Sequence, residues 1–262
     1  MDLQLDGKKA LVSGSTKGIG LAIAIALARE GAHVIINGRS GDSLVTALEH
    51  IKNVVPKATV EGFHGDLSRA EEVDRLRQRL PALDILVNNL GIYEPKAFEE
   101  IRDEEWRNFF EVNVLSGVRL ARVYLPGMKE RNWGRIVFIS SESGIQIPAE
   151  MIHYGMTKTA QLAVSRGIAE TCAGTRVTVN AILPGPTHTA GVDGFVAKLS
   201  GGKSFADFEK EFFQTVRPAS LLQRFATPEE VANLTAYVCS PLSSATNGAA
   251  LRVDGGVVRA CF

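Results

Sequence analysis

Ala10-Leu11-Val12-Ser13-Gly14-Ser15-Thr16-Lys17-Gly18-Ile19-Gly20 is the stretch on which the reading of this chain turns. Its apolar start, Ala10 to Ser13, predicts a short buried strand. Gly14 to Gly20 is a glycine-rich turn, and Ile19 to Glu30 is a helix closed by Gly31. Glycine allows close approach to a phosphate and backbone conformations closed to other residues. The helix N-terminus behind the turn offers unpaired N–H groups and the positive end of its dipole. The spacing is G-x-x-x-G-x-G, not the commoner G-x-G-x-x-G. A glycine turn often only joins strand to helix. In this strand–turn–helix setting it points to nucleotide binding, with Gly14, Ser15, Thr16, Lys17, Gly18, Ile19 and Gly20 as the cradle.

Outward from this unit, strand-like and helix-like segments alternate. Further strands are expected at His33 to Asn37, Ala58 to Phe63, Asp84 to Val87, Arg135 to Ser140, Val177 to Leu183 and Ala249 to Val253. Leu44, Leu48 and Ile51 repeat at helical spacing, and Ser68-Arg69-Ala70-Glu71 reads as a capping box before Val73, Leu76 and Leu80. Ile101 to Glu130 and Tyr154 to Thr171 read as helical, and Thr227-Pro228-Glu229-Glu230 opens another helix. The pattern predicts one α/β domain over 1–262, a doubly wound parallel seven-stranded sheet with helices on both faces. Such sheets bind ligands beyond the carboxyl ends of their strands. Pro186 to Arg224, with Gly191, Gly194, Gly201 and Gly202, reads as a mobile substrate lid at about 186–224.

Composition excludes several classes. Across 262 residues, 29 Lys+Arg balance 29 Asp+Glu, which argues against nucleic-acid binding. The longest apolar run, Leu21 to Ala28, is too short to cross a membrane. Cys172, Cys239 and Cys261 form neither a CxxC nor a Cys/His cluster, so no metal is expected, and the thiols read as inert and buried. With no targeting segment visible, the expected location is the cytoplasm.

The end of the second strand selects the cofactor. NAD sites commonly place an acid there for the ribose 2′-OH; Asn37-Gly38-Arg39-Ser40 has none. Arg39 suits a 2′-phosphate, with Lys17 as a second positive charge, so NADP(H) is favoured over NAD(H). Tyr154 and Lys158, four apart, share one helix face. An ammonium stabilises a nearby phenolate, and the pair suits carbonyl/alcohol interconversion. Ser141, Ser140 and Ser143 end the fifth strand, where a hydroxyl can bond a substrate oxygen; the residues alone leave the choice open.

These segments together resemble the short-chain dehydrogenase/reductase family over nearly the whole chain. The motifs are Ser13-Gly14 through Gly20, Gly65-Asp66-Leu67, Asn88-Asn89-Leu90-Gly91, Asn113, Ser141, Tyr154 with Lys158, Pro184-Gly185-Pro186-Thr187-His188-Thr189, Pro228 to Ala232 and Asp254-Gly255-Gly256. Leu90 stands where the family usually has Ala, and Thr187 where an apolar β-branched residue is usual. The resemblance implies a Rossmann-type fold. It implies that Tyr154 is the general acid in reduction, that Lys158 holds the nicotinamide ribose and lowers the tyrosine pKa, that Ser141 orients the carbonyl, and that Asn113 positions a water. It adds Asp66, Leu67, Asn89, Gly91, Pro184, Gly185, Thr187 and Thr189 as cofactor contacts. It also implies a homo-oligomer, a tetramer, partly built from the helices carrying Asn113 and Tyr154. The tail Val257 to Phe262 fits either a subunit interface or packing within one subunit.

Tyr93, Glu142, Glu150, His153 and His188 are candidate rim residues, with Glu142 and His153 as contacts for a polar substrate, against the plainer reading of solvated positions. Trp106 and Trp133 read as core or interface aromatics. The function expected is an NADP(H)-dependent ketone/secondary-alcohol oxidoreductase acting on a small molecule, with a 3-oxoacyl thioester as one substrate. The alternative is a non-catalytic NADP-binding sensor, disfavoured because Ser141, Tyr154, Lys158 and Asn113 are all present. An enoyl reductase of the same fold is disfavoured by the Tyr/Lys spacing.

Overall fold

A computed structural model describes residues 1–189 and 204–261. Seven strands form one parallel sheet: β1 (Lys9–Val12), β2 (His33–Gly38), β3 (Val60–His64), β4 (Ile85–Asn88), β5 (Gly134–Ile139), β6 (Val177–Pro184) and β7 (Ala250–Val253). Their order is β3-β2-β1-β4-β5-β6-β7. The chain winds outward from β1 to β3, then returns to β4 on the other side of β1. That reversal opens a crevice beyond the carboxyl ends of β1 and β4.

Strand periodicity divides the core. Side chains of successive strand residues point to opposite faces. Ala10 and Val12, Val34 and Ile36, and Val137 and Ile139 join one apolar cluster; Leu11, Ile35, Ile136 and Phe138 join the other. On the first face lie α1 (Gly18–Arg29) and α2 (Gly41–Val54). The second is covered by α3 (Ala70–Arg79), followed in the chain by α4 (Asp103–Phe110), α5 (Ser116–Glu130) and α6 (Ile152–Glu170). Among the described residues, α7 (Phe205–Thr215) and α8 (Pro228–Cys239) complete the helices, with α8 back on the first face. Thr227 and Glu230 cap α8 reciprocally, as the Thr-Pro-Glu-Glu run predicts.

Several expectations change. Ser68 does not cap α3: its hydroxyl donates to Asp66 Oδ1 at 2.7 Å, so Arg69 takes the cap position without a side-chain bond. A local turn has outcompeted the capping box for that hydroxyl. The helical stretch from Ile101 is broken by a π turn at Glu111–Leu115. The segment read as irregular contains α7, whose side chain Phe213 is buried; its four glycines lie outside the described residues. In the tail, Val257 and Val258 are buried within this chain, whereas Cys261 is exposed and not the buried thiol expected. The Cys239 thiol is pushed up to about 12 by burial, in keeping with an inert role.

No described helix is long and apolar enough to cross a membrane. No cluster of His, Cys, Asp or Glu suited to a metal occurs among the described residues.

Candidate active site

The glycine turn leaves β1 and enters α1 with Gly14 at φ +60° and Gly18 at φ +57°. Those values favour glycine. A Cβ on Gly18 would stand 3.3 Å from Thr189 Cγ2, across the groove, so the turn keeps a bare cradle in front of the helix N-terminus. Ser15 is buried; its hydroxyl donates to Val12 O at 2.6 Å and accepts from Asn37 N at 2.9 Å. Asn37 also accepts from Gly14 N at 3.1 Å. Asn89 donates to Ser13 O and Gly14 O at 3.0 and 2.9 Å. The side chains of Ser15 and Asn89 therefore brace the turn. Ser13 Oγ, standing for the family's threonine, accepts from the N–H groups of both Asn89 and Leu90 at 3.0 Å. Leu90 packs over Gly14, where an added Cβ would meet its Cα at 3.2 Å.

Gly20 is the tightest position of the cradle: a Cβ there would lie 2.4 Å from Asn89 Nδ2 and 2.7 Å from Gly14 O. Gly20→Ala is expected to destabilise the protein by roughly 1–3 kcal/mol through overpacking. Urea unfolding measures this, and an unchanged midpoint would contradict the packing described.

Arg39 and Lys17 are exposed beside the cradle, and neither has an ion-pair partner among the described residues. Asp66 is occupied by the Ser68 hydroxyl and N–H. Leu67 is buried, with its side chain in the second core cluster.

A cavity of about 760 Å³ opens at the carboxyl ends of β4, β5 and β6. Gly91, Ser141, Tyr154, Lys158, Pro184, Gly185, Thr187 and Thr189 all line it, as do Ile19 and Asn89. Gly185 is forced by the backbone of Asp254, since a Cβ would approach its carbonyl oxygen to 2.6 Å. Thr187 Oγ1 donates to Gly185 O at 2.9 Å, which turns the hydroxyl to its own backbone.

The three serines differ in their bonding. Ser140 Oγ donates to Lys158 O at 2.8 Å. Ser143 Oγ donates to Glu142 Oε2 at 2.8 Å. Ser141 Oγ donates to the Glu142 carboxylate, lines the cavity with Tyr154, and is the one serine of the three that bears on the Tyr154 phenol's pKa, lowering it.

Lys158 is buried and donates to Ile139 O at 2.9 Å and to Gln161 Oε1 at 3.4 Å. Its Nζ lies 5.5 Å from the centroid of the Tyr154 ring. Burial lowers its pKa to about 7. The Tyr154 phenol is pushed above its usual value, first by burial and then by the Glu142 carboxylate. This departs from the expected lowering: burial dominates, and the ammonium's hydrogen bonds go to Ile139 O and Gln161.

Asn113 sits in the π turn, a bulge frequent at functional sites. Its Oδ1 accepts from Ile92 N at 2.8 Å, and its Nδ2 donates to Ile92 O at 3.0 Å and Thr157 Oγ1 at 2.9 Å. Its backbone oxygen accepts from Gln161 Nε2 at 2.5 Å, and Gln161 in turn faces Lys158. Gln161 was not singled out from sequence. Its position seven after Tyr154 and three after Lys158 puts it on their helix face, which is the signal that would have found it.

Glu142 is buried and pairs with Arg217 Nε at 3.3 Å; Arg217 Nη1 pairs with exposed Glu150 at 3.1 Å. Arg217 follows α7 and was not anticipated. His153 is not at the cavity. It is buried against Phe109, ring centroids 4.0 Å apart, and against Trp106, and burial lowers its pKa. Tyr93 and Glu150 line the cavity, and His188 stacks on Phe205. Trp133 lies beneath Lys8 and the buried Arg135.

The Lys158 shift has a consequence for stability. An unfolded lysine holds its proton to a pKa of about 10.4. From about 7 upward the unfolded state therefore binds more protons than the folded one, and stability from this group rises with pH. Lys158→Met is expected to flatten the rise in Tm between about pH 7 and pH 9.5. Parallel slopes for the two proteins would show that Lys158 is not so perturbed.

Comparison with known proteins agrees with this architecture. The family described as enoyl-(acyl carrier protein) reductase matches residues 14–258. The chain is 49% identical to the uncharacterized oxidoreductase YvaG of Bacillus subtilis, over 100% of both chains. It is 34% identical to the 3-oxoacyl-[acyl-carrier-protein] reductase FabG of Aquifex aeolicus, over 98% of this chain and 100% of that one. The structure of L-sorbose reductase from Gluconobacter frateurii, complexed with NADPH and L-sorbose, superposes with a TM-score of 0.93 at 32% identity, covering 99% of this chain and 100% of that one. The chain belongs to the short-chain dehydrogenase/reductase family, and its sheet, glycine turn and cavity are those of an oxidoreductase working between C=O and CH–OH.

Proposed function

We propose that the protein is a single-domain, NADP(H)-dependent reductase of a small ketone, with the secondary alcohol as product. The observation that carries this reading is the convergence of Ser141, Tyr154 and Lys158 on one cavity beside the glycine cradle. The residues present fit a nicotinamide dinucleotide: two glycines at positive φ keep the cradle bare, and the unpaired Arg39 and Lys17 flank it. When bound, that cofactor supplies the hydride.

The chain's own residues do the rest. Gly14 to Gly20 receive the pyrophosphate on the α1 N-terminus. Arg39 and Lys17 take the 2′-phosphate. Asp66 and Leu67 flank the adenine, and Asn89, Gly91, Pro184, Gly185, Thr187 and Thr189 border the nicotinamide side. Ser141 donates to the ketone oxygen. Tyr154 then gives that oxygen its phenolic proton as negative charge develops on it. A phenol held above its usual pKa is protonated at neutral pH, which supports the reduction direction. Lys158 holds the ribose and, through Gln161 and Asn113, is tied to the π turn.

The FabG relative makes a 3-oxoacyl thioester one substrate to test. The region from 186 to 224 acts as the lid, and the assembled form is a cytoplasmic homotetramer. Initial rates of NADPH and NADH oxidation, measured side by side with a panel of ketones and one 3-oxoacyl thioester, test the reading. Ketone-dependent oxidation of NADPH, with little of NADH, is the expected result. Preference for NADH would overturn the cofactor assignment and leave the tyrosine chemistry standing.

A further inference from the structure

Glu142 is a buried acid immediately after Ser141, and the mechanism above does not use it. Its Oε2 accepts from the Ser141 hydroxyl, from Ser143 Oγ at 2.8 Å and from Ser143 N at 2.5 Å. Its Oε1 accepts from Arg217 Nε at 3.3 Å. A serine hydroxyl has one proton to give. In the free protein Ser141 gives it to Glu142; to orient a ketone it must give it to the ketone oxygen. Binding a ketone thus removes one of three donors from Oε2 of a buried carboxylate at the cavity wall. A buried acceptor that loses its partner is costly.

The same rearrangement shows what restores the balance. Ser141, Glu142 and Tyr154 line the same cavity and Ser141 donates to Glu142, so a ketone oxygen that takes the Ser141 proton lies next to the residue that holds the freed carboxylate lone pair. A hydroxyl on the carbon next to the carbonyl is placed to fill the vacated position. Charge adds a second criterion. Among the described residues, the guanidinium of Arg217 is shared by Glu142 and Glu150, so it is not free to receive an anionic group. Beyond it the wall is apolar, with Phe208, Phe212 and Phe225.

We propose that Glu142, held by Arg217, determines specificity by accepting a hydrogen bond from a hydroxyl beside the reacting carbonyl, so that neutral α-hydroxy ketones are the preferred substrates. The inference rests on the ketone-reductase reading above and narrows it. It ranks simple ketones and 3-oxoacyl thioesters, which lack that hydroxyl, below α-hydroxy ketones, and small 2-oxo acids lowest.

The test compares kcat/KM at saturating NADPH for 3-hydroxy-2-butanone, 2-butanone and pyruvate. A site built to bond a hydroxyl rejects the analogue without it, so the first is expected to exceed the second by about tenfold or more. Glu142→Ala should lower that ratio by about fivefold or more, while Glu142→Gln, which keeps an acceptor oxygen, retains part of it. A merely structural role lowers both rates together and leaves the ratio unchanged, which would overturn the proposal. A ratio near one in the wild type overturns it without any variant, even where the alanine substitution prevents folding. Reduction of the thioester in preference to both butanones defeats the inference and leaves the reductase reading intact. Failure of every carbonyl compound defeats that reading itself.

Discussion

Tyr154→Phe is expected to lower kcat for ketone reduction by roughly 10²–10⁴-fold, the usual contribution of a positioned general acid. The substitution removes one oxygen atom and leaves the ring's contacts in place, including the edge-on packing with Tyr93 at 6.3 Å between centroids. What disappears is the proton that this site delivers to the developing alkoxide. The neighbouring serines are committed elsewhere: Ser140 is bonded to Lys158 O, Ser143 to Glu142, and Ser141 is the residue that orients the carbonyl in the proposed scheme. Thermal unfolding with and without NADPH separates lost chemistry from lost folding. If the variant is folded and stabilised by NADPH yet turns over at the wild-type rate, the proton comes from elsewhere and the scheme is wrong.

The second large effect concerns the cofactor. Arg39→Ala is expected to lower the ratio of kcat/KM for NADPH to that for NADH by roughly 10–100-fold, because hydrogen bonds to charged groups contribute about 1.5–3 kcal/mol. The change should appear chiefly as a higher KM for NADPH. NADH has no 2′-phosphate, so its kinetics should move little. Lys17, exposed in the turn itself, is the second positive charge of the proposed site, so Lys17→Ala should shift the ratio in the same direction. Rising ionic strength should also weaken NADPH binding more than NADH binding, since exposed charges are screened. A ratio that changes by less than about threefold in Arg39→Ala would remove Arg39 from phosphate recognition.

The sheet was legible in the sequence because its strands are short apolar runs separated by helices, and burial on both faces makes such runs conspicuous. Arg135–Ile139 illustrates this: Ile136 and Phe138 face one core, Val137 and Ile139 the other, so the whole segment reads as apolar. The glycine turn was legible because its backbone demands, at Gly14 and Gly18, leave a mark on residue type. Tyr154 and Lys158 were legible through helical spacing. Where several groups compete for one hydroxyl, sequence did not decide. The Ser68 hydroxyl goes to Asp66 rather than to the helix, and only the folded loop fixes that choice. Among Ser140, Ser141 and Ser143 the decision likewise depends on which faces the phenol. Long-range pairs left no pattern at all. Arg217 meets Glu142 across 75 residues of sequence, and nothing near either residue announces the other. His153, a candidate rim residue by sequence, is instead turned inward by its helix onto Phe109 and Trp106.

The direction of the Tyr154 shift also came from structure alone. A lysine four residues away implies a lowered phenol pKa only if its ammonium points at the phenol. Here it donates to Ile139 O, and burial first, then the Glu142 carboxylate, raise the phenol instead.

The central claim is that this cavity transfers hydride to a ketone carbon while Tyr154 protonates its oxygen. The most direct measurement uses NADPH carrying deuterium at the transferred position, with 3-hydroxy-2-butanone as substrate, and locates the label by NMR. The account predicts deuterium on the newly formed carbinol carbon, one atom per NADPH consumed, and roughly 10²–10⁴-fold less of that labelled product from a folded Tyr154→Phe variant over the same interval. NADPH consumed without deuterium at that carbon, or equal labelling by the variant, would contradict it.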